Sequence, residues 1–549
     1  MGKTTLLRGR AVQWAITACC GSAFLLFGYD QGVMSGLLTG SAFTHQFPEI
    51  DTTDTGHGSA SLQGTVVAIY EIGCLFGSLF TFFFGEVFGR RRTIMLGCTV
   101  LCVGAALQTS SYGIPQLIVG RIVTGLGNGI NTSTVPVWHS ETTAAHNRGR
   151  ALAIELAINI FGVASAYWID FGLSFVSSQA QFRAPLGIQM VFAVVTVALI
   201  QFLPESPRWL LKHGRADDAR AVLDQLSMHK GADRAQTLEA EFAEIQHTLE
   251  EEEAATIKDK NGNAVSAVRA CFTNGKERYF HRVMLGVGSQ FMQQLCGINL
   301  RPVIFEQSVG LSHDISLLLS GFNGVAYFLS SLVPIWLIDR VGRRKLMLFA
   351  AVGQCACMAV LAGTTSVSHK ATGIVAATML FLFNFFFAVG LLAIPWLLPA
   401  EYAPLPIRAS AAALASASNW IYSLVQSRQS RADSCQFTFL VVEITPVSIK
   451  SIGYKTYIYF CVFNACFVPM IYFLYPETAR LSLENIDLLF TGNKVLLKLP
   501  KQLRDTPLGA ETGNAEAEAE KDSTKIEAVE RVPGEKRQIE VAHDDVSRL

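Results

Sequence analysis

Twelve apolar stretches, each long enough to approach or exceed the roughly 20 residues a helix needs to cross a bilayer, restrict this chain more than any other feature. They fall near residues 12–38, 62–84, 93–111, 114–138, 149–176, 184–203, 282–308, 315–338, 346–368, 372–399, 406–449 and 456–475, as six plus six. Composition agrees, because 16% of the residues are charged, against roughly 25% in a typical soluble domain. The expected fold is an all-α membrane protein with twelve transmembrane helices in two six-helix bundles.

Net charge is zero, but the positions of the charges are informative. Arg and Lys crowd the N-terminus (Lys3, Arg8, Arg10), the turn at Arg90 to Arg92, the turn at Arg148 and Arg150, the central segment, and Arg343 to Lys345. The opposite loop, residues 39–63, carries Asp and Glu with no Lys or Arg. By the positive-inside rule both termini and the central segment face the cytoplasm, and the plasma membrane is the expected location. The first span has no convincing cleavage site, which argues against a signal peptide. The expected organisation is a first bundle over 1–203, a cytoplasmic helical loop over 204–280, a second bundle over 281–475, and a cytoplasmic tail over 476–549 that is mostly disordered. Within the loop, helical apolar spacing predicts helices over 216–226 and 234–253. Nearly all of the twelve cysteines lie in apolar segments and read as core thiols. No metal-ligand spacing stands out. Asn131 opens a glycosylation triplet inside a span, where it is unusable.

Two charged signatures occur once in each half. The first is an acid followed by Gly-Arg-Arg: Glu86 with Arg90 and Arg91, then Asp339 with Arg343 and Arg344. The second is a glutamate with an arginine seven residues on: Glu141 with Arg148, then Glu401 with Arg408. A repeated unit of this kind is the architecture of one large transporter class. Acid–arginine pairs at helix ends hold neighbouring spans in one orientation, so these ten residues are expected to act as a cytoplasmic latch that opens during alternating access.

The strings GYDQGVMSG (28–36), GRIVTGLGNG (120–129), PESPRW (204–209), QQLCGIN (293–299), PAEYAPLPIR (399–408), SNW (418–420) and PET (476–478) are similar, in this order and spacing, to those of the sugar porter family of the major facilitator superfamily, particularly its fungal branch. Trp138 stands where the family usually has tyrosine, and Val87 where it has a basic residue. A sugar offers hydroxyls and an apolar ring face, so its site needs amides and an aromatic. The resemblance implies that Gln293, Gln294, Asn299, Asn323, Trp396 and Asn419 contact the substrate. It also places a glutamine at the position of Glu155, so this acid is an expected site residue that would alter substrate preference. Asp30 and Arg121 are intramembrane ionisable residues and natural partners. In related symporters the acid at the position of Asp30 takes up the proton, so the pair is expected to couple proton and sugar.

The chain departs from the family twice. Asn299 and Leu300 run directly into Arg301 and Pro302, with about four residues and two tyrosines missing, and residues 422–438 insert a polar run that no single membrane helix accommodates comfortably. A misjudged exon boundary accounts for both better than adaptation does. The expected partners are a small-molecule sugar, a proton and the lipid bilayer, with no nucleic acid and no cofactor. No nucleophile, base and oxyanion set marks an enzyme. The alternatives are a sugar-binding receptor without transport and a facilitator without proton coupling.

Overall fold

The computed structural model describes residues 8–38, 40–51, 58–143, 148–227, 233–254, 267–273, 278–298, 313–366, 370–404, 407–427, 454–478, 486 and 490. Among these, every extended regular element is an α-helix. The first half contains α1 (Arg10–Leu37), a short α2 (Ser41–Gln46), α3 (Ala60–Phe88), α4 (Arg90–Thr109), α5 (Ile114–Thr142), α6 (Arg148–Ser174) and α7 (Ala180–Ile200). The second contains α12 (Tyr279–Leu295), α13 (His313–Ser331) continued by α14 (Pro334–Val341), α15 (Arg343–Thr365), α16 (Lys370–Gly390) continued by α17 (Ile394–Tyr402), α18 (Arg408–Ser427) and α19 (Lys455–Leu474). Each expected span therefore has a helix among the described residues. Nine of these helical segments are long and apolar enough to cross a membrane.

Sequence explains where the helices stop. Proline lacks the N–H that would continue a ladder and clashes with the preceding turn, and the eighth span breaks ahead of Pro334 and the tenth between Gly390 and Pro395. The tenth, expected over 372–399, is matched by one apolar span, Gly373–Pro399, within which the helix is interrupted by this short turn. The seventh was expected over 282–308, whereas α12 ends at Leu295. Asn299 and the junction at Arg301 lie outside the described residues, as do residues 428–438 and the tail from 491. Up to Ser427, the start of the polar insertion continues α18 as helix.

Within the first bundle α1 packs on α6 and α7, and α5 is clamped between α3 and α4. In the second, α15 packs on α16 and α19. The halves meet where α3 lies along α18 and α6 along α13. Large apolar side chains such as Phe83, Val194 and Tyr459 stand exposed on the outside, as a lipid-facing surface requires, while Asp30, Arg121 and Glu155 are enclosed. Between the bundles lie α8 (Pro207–Lys212), α9 (Ala216–Leu226), α10 (Asp233–Ala254) and α11 (Ala267–Cys271). Leu210, Ala219, Leu223 and Phe242 bury one face of this group. Asp217 and Asp218 sit in the first turn of α9, where the helix dipole favours negative charge. The end of α9 is tied to the start of α1, since the Gly9 N–H donates to Gln225 O over 2.8 Å.

Candidate functional site

The break in the tenth span frees backbone carbonyls inside the bundle, and a freed carbonyl in that medium must find a donor. Amides on α12 supply it. Gln293 Nε2 donates to Leu391 O (2.8 Å) and Leu392 O (2.9 Å), and Gln290 Nε2 donates to Pro395 O (3.0 Å). The spacing of three places Gln290 and Gln293 on one helix face. Their carbonyl oxygens then accept from Asn419 Nδ2 on α18, at 2.5 Å and 3.0 Å, and Asn419 Oδ1 accepts from Gln294 Nε2 at 3.1 Å. Four amides from two helices thus form one network around the broken strand of backbone. Trp396 lies half-buried on α17, within the same turn as the broken segment. The residue after Asn419, Trp420, meets Phe27 of α1 edge-to-face at 5.8 Å, so the network stands at the junction of the two bundles. Asn323 lies on α13 and accepts from Asn384 Nδ2 at 2.8 Å.

One turn beyond Phe27 on α1 is Asp30, 1% exposed. Asp30 and Arg121 share no direct hydrogen bond or ion pair among the described residues, because Tyr70 of α3 stands between them. Its hydroxyl donates to Asp30 Oδ2 at 3.4 Å, its ring lies 4.7 Å beneath the Arg121 guanidinium, and Asn128 Nδ2 donates to the same hydroxyl at 2.6 Å. Arg121 donates to Val66 O and Val67 O. Asp30 Oδ1 and Arg121 Nη1 have no partner among the described residues. An acid and a base held apart by one rotatable phenol can exchange a direct pairing for a bridged one at little structural cost.

The charged signatures interlock in a way their spacing does not reveal, since the first arginine of each Gly-Arg-Arg pairs with the glutamate of the other signature. Arg90 of α4 grips Glu141 of α5 through Nε (3.2 Å) and Nη2 (3.1 Å), the two-pronged geometry that makes such pairs strong. Arg343 of α15 reaches Glu401 of α17 at 3.1 Å. Each helix start carries a further acid. Glu205 accepts from the Arg90 and Arg91 N–H groups, and Glu477 accepts from those of Arg343 (2.8 Å) and Arg344 (3.1 Å). A carboxylate satisfying the first amides of a helix also meets its positive end. Arg91 and Arg344 donate instead to the carbonyls ending α7 and α19, at Ile200, Gln201 and Tyr472. Gly89 and Gly342 turn the chain with φ of 80° and 100°, and a side chain at Gly342 would strike the Glu477 carboxylate. Burial raises Glu205 above the ordinary carboxylate range, and amides of Ser206 and Arg91 draw it back. Burial likewise raises Glu401, opposed chiefly by Arg343. For Glu86, Arg148, Asp339 and Arg408 the helix backbone is described but not the side chain.

Glu155 does not join the amide network. On α6, facing the interior of the first bundle, it is bonded to His139 Nδ1 of α5. Cys20 of α1 completes the group. The described cysteines are all free. The residues missed from sequence are Gln290, Asn384, Tyr70, Asn128, Glu205, Glu477, His139 and Cys20. Gln290 was within reach, being an amide one turn from Gln293, and both acids stand inside strings singled out for another reason.

Residues 14–490 match the family described as Sugar (and other) transporter. The chain is 38% identical over 503 residues to an MFS-type transporter, oryC, of Aspergillus oryzae, covering 89% of this chain and 88% of that one. It is 36% identical to the sugar transporter STL1 of Saccharomyces cerevisiae, covering 88% and 82%. Among solved structures, the fold is similar to the proton:xylose symporter XylE of E. coli in complex with 6-bromo-6-deoxy-D-glucose, with a TM-score of 0.70, 22% identity, and coverage of 87% of this chain and 99% of that one.

Proposed function

The chain belongs to the Sugar (and other) transporter family, and from that premise we propose that it carries a hexose or related monosaccharide inward, together with a proton, by alternating access. The observation that carries this reading is the amide network of Gln290, Gln293, Gln294 and Asn419 at the junction of the bundles, close to a buried acid with an unsatisfied oxygen. Sugar hydroxyls both donate and accept, so they can replace amide–amide bonds one for one. Gln294, Asn323 and Trp396 would line the site with them, Trp396 offering its ring to the apolar face of the sugar, and Asn299 would complete it. Binding then competes with the bonds that hold α12 to α17 and α18, which links occupancy to the arrangement of the second bundle.

Coupling follows from Asp30. With Asp30 ionised, Arg121 is drawn toward the acid through Tyr70. Protonation removes that attraction and releases Arg121 toward the carbonyls of α3. The charged turns lie at the cytoplasmic face, where Arg90–Glu141 and Arg343–Glu401 latch that side shut, with both termini in the cytoplasm and the protein in the plasma membrane. Uptake of a panel of labelled sugars by cells lacking their own carriers, with and without an inward proton gradient, tests this reading. Uptake of at least one monosaccharide that is stimulated by the gradient is expected. Sugar binding without uptake would instead identify a receptor, and uptake indifferent to the gradient a facilitator.

A further inference from the structure

Three helices of the first bundle bring a thiol, an imidazole and a carboxylate to one point. Cys20 is 1% exposed, His139 3% and Glu155 1%, and their ligating atoms all lie within 4.8 Å of one another. His139 Nδ1 is bonded to one oxygen of Glu155, while the other, Oε2, has no partner among the described residues. On the far side of the ring, His139 Nε2 meets the Thr17 hydroxyl at 3.3 Å. Cys20 belongs to the same buried apolar cluster as Phe24, Trp138 and Leu156. It lies ten residues along α1 from Asp30, roughly 15 Å by helical rise, and so is separate from the coupling acid. His139 is two residues before Glu141, so the cluster sits just inside the latch.

We propose that Cys20, His139 and Glu155 form a binding site for a thiophilic divalent cation such as Zn²⁺. Cys, His and Glu are the ligand types of zinc, and three protein ligands leave a fourth position open. A soft sulfur beside an imidazole disfavours Mg²⁺ and Ca²⁺, which take oxygen ligands. Charge balance fits an apolar interior: a divalent ion, one thiolate, one carboxylate and a neutral imidazole sum to zero. Binding displaces the thiol proton of Cys20 and the proton shared between His139 Nδ1 and Glu155, and both leave to solvent. Nε2 keeps its hydrogen and donates it to Thr17, the kind of outer partner that fixes a ligating ring. Glu155 Oε2, otherwise unsatisfied, gains a role. The bound ion ties α1 to α5 and α6 beside the latch.

The full-length protein in nanodiscs, titrated with Cd²⁺ alone, tests the site. Cys355 and Cys461, whose sulfurs are 3.7 Å apart, are a competing soft pair, so the reference protein carries Cys355→Ser. One Cd²⁺ per chain is expected, with the ultraviolet charge-transfer band of a cadmium–sulfur bond, displaced by Zn²⁺. Cys20→Ser should abolish the band, and Thr17→Val should weaken binding roughly tenfold or more. The reference protein should also melt at a higher temperature with Cd²⁺ than without, a comparison that needs no variant at the site. A band that survives Cys20→Ser, or a melting temperature indifferent to Cd²⁺, overturns the assignment.

Discussion

Replacing Glu141 by Gln keeps the shape of the Arg90 partner and removes its charge, which makes it the sharpest probe of the latch. The pair is two-pronged, and the side chains are 14% and 11% exposed. Exposed pairs contribute up to about 1 kcal/mol, and breaking a fully buried pair costs about 3–5 kcal/mol. A pair at this depth falls between these limits, so the closed state should lose about 2 kcal/mol relative to the open one. At 1.4 kcal/mol per tenfold, that shifts the ratio of states roughly thirtyfold. The shift can be read from the alkylation rate of a cysteine substituted for Thr142, which is buried at the end of α5 beside the pair. In an otherwise cysteine-free background, Thr142→Cys should react with an impermeant maleimide about thirty times faster when Glu141→Gln is added. Arg90→Ala on top of Glu141→Gln should add little, because the interaction is already gone. A rate that stays within about twofold of the parent, in protein that still folds, would show that the pair does not govern access.

Three further outcomes follow. Asn419→Ala removes three amide bonds at once. At about 0.6 kcal/mol each in a membrane interior, the loss of roughly 2 kcal/mol should appear in thermal melting, with sugar affinity at least tenfold weaker by binding titration; wild-type affinity would remove the network from the site. Gly342→Ala forces a side chain into a backbone with φ of 100° and against Glu477, at a cost of about 1–3 kcal/mol; an unchanged melting temperature would contradict the turn geometry. Glu205 and Glu401 are both raised by burial, so the folded chain binds their protons more tightly than the unfolded one. Their contribution to stability is therefore full below the ordinary carboxylate range and falls as pH rises through their folded values. Glu205→Gln with Glu401→Gln should flatten that part of the stability–pH curve, and an unaltered curve would refute the sign.

Much of the fold was legible because hydrophobic length is a local property. The spans could be counted without knowing how they pack, and Pro334 and Pro395 carry the breaks within the chain itself. The duplicated charges were legible as acid–arginine pairs between neighbouring spans, but which acid meets which arginine was not. The structure pairs Arg90 with Glu141 and Arg343 with Glu401, because a turn between helices brings together residues about fifty positions apart. Glu205 and Glu477 act through backbone amides, and an amide leaves no trace in a sequence motif. Tyr70 stands between Asp30 and Arg121 because α3 packs along α5 and the tyrosine hydroxyl reaches Asp30 of α1, a fact of packing with no local signal. Cys20, His139 and Glu155 come from three separate helices, so no ligand spacing could reveal them. Gln290 was readable in principle, since helical period alone aligns it with Gln293.

The central claim is that sugar movement is driven by a proton taken up at Asp30. Purified protein in liposomes should accumulate labelled sugar above its external concentration when an inward proton gradient is imposed. Asp30→Asn should abolish that accumulation while leaving exchange of internal for external sugar intact. Accumulation by the Asp30→Asn protein equal to that of the parent would contradict the account.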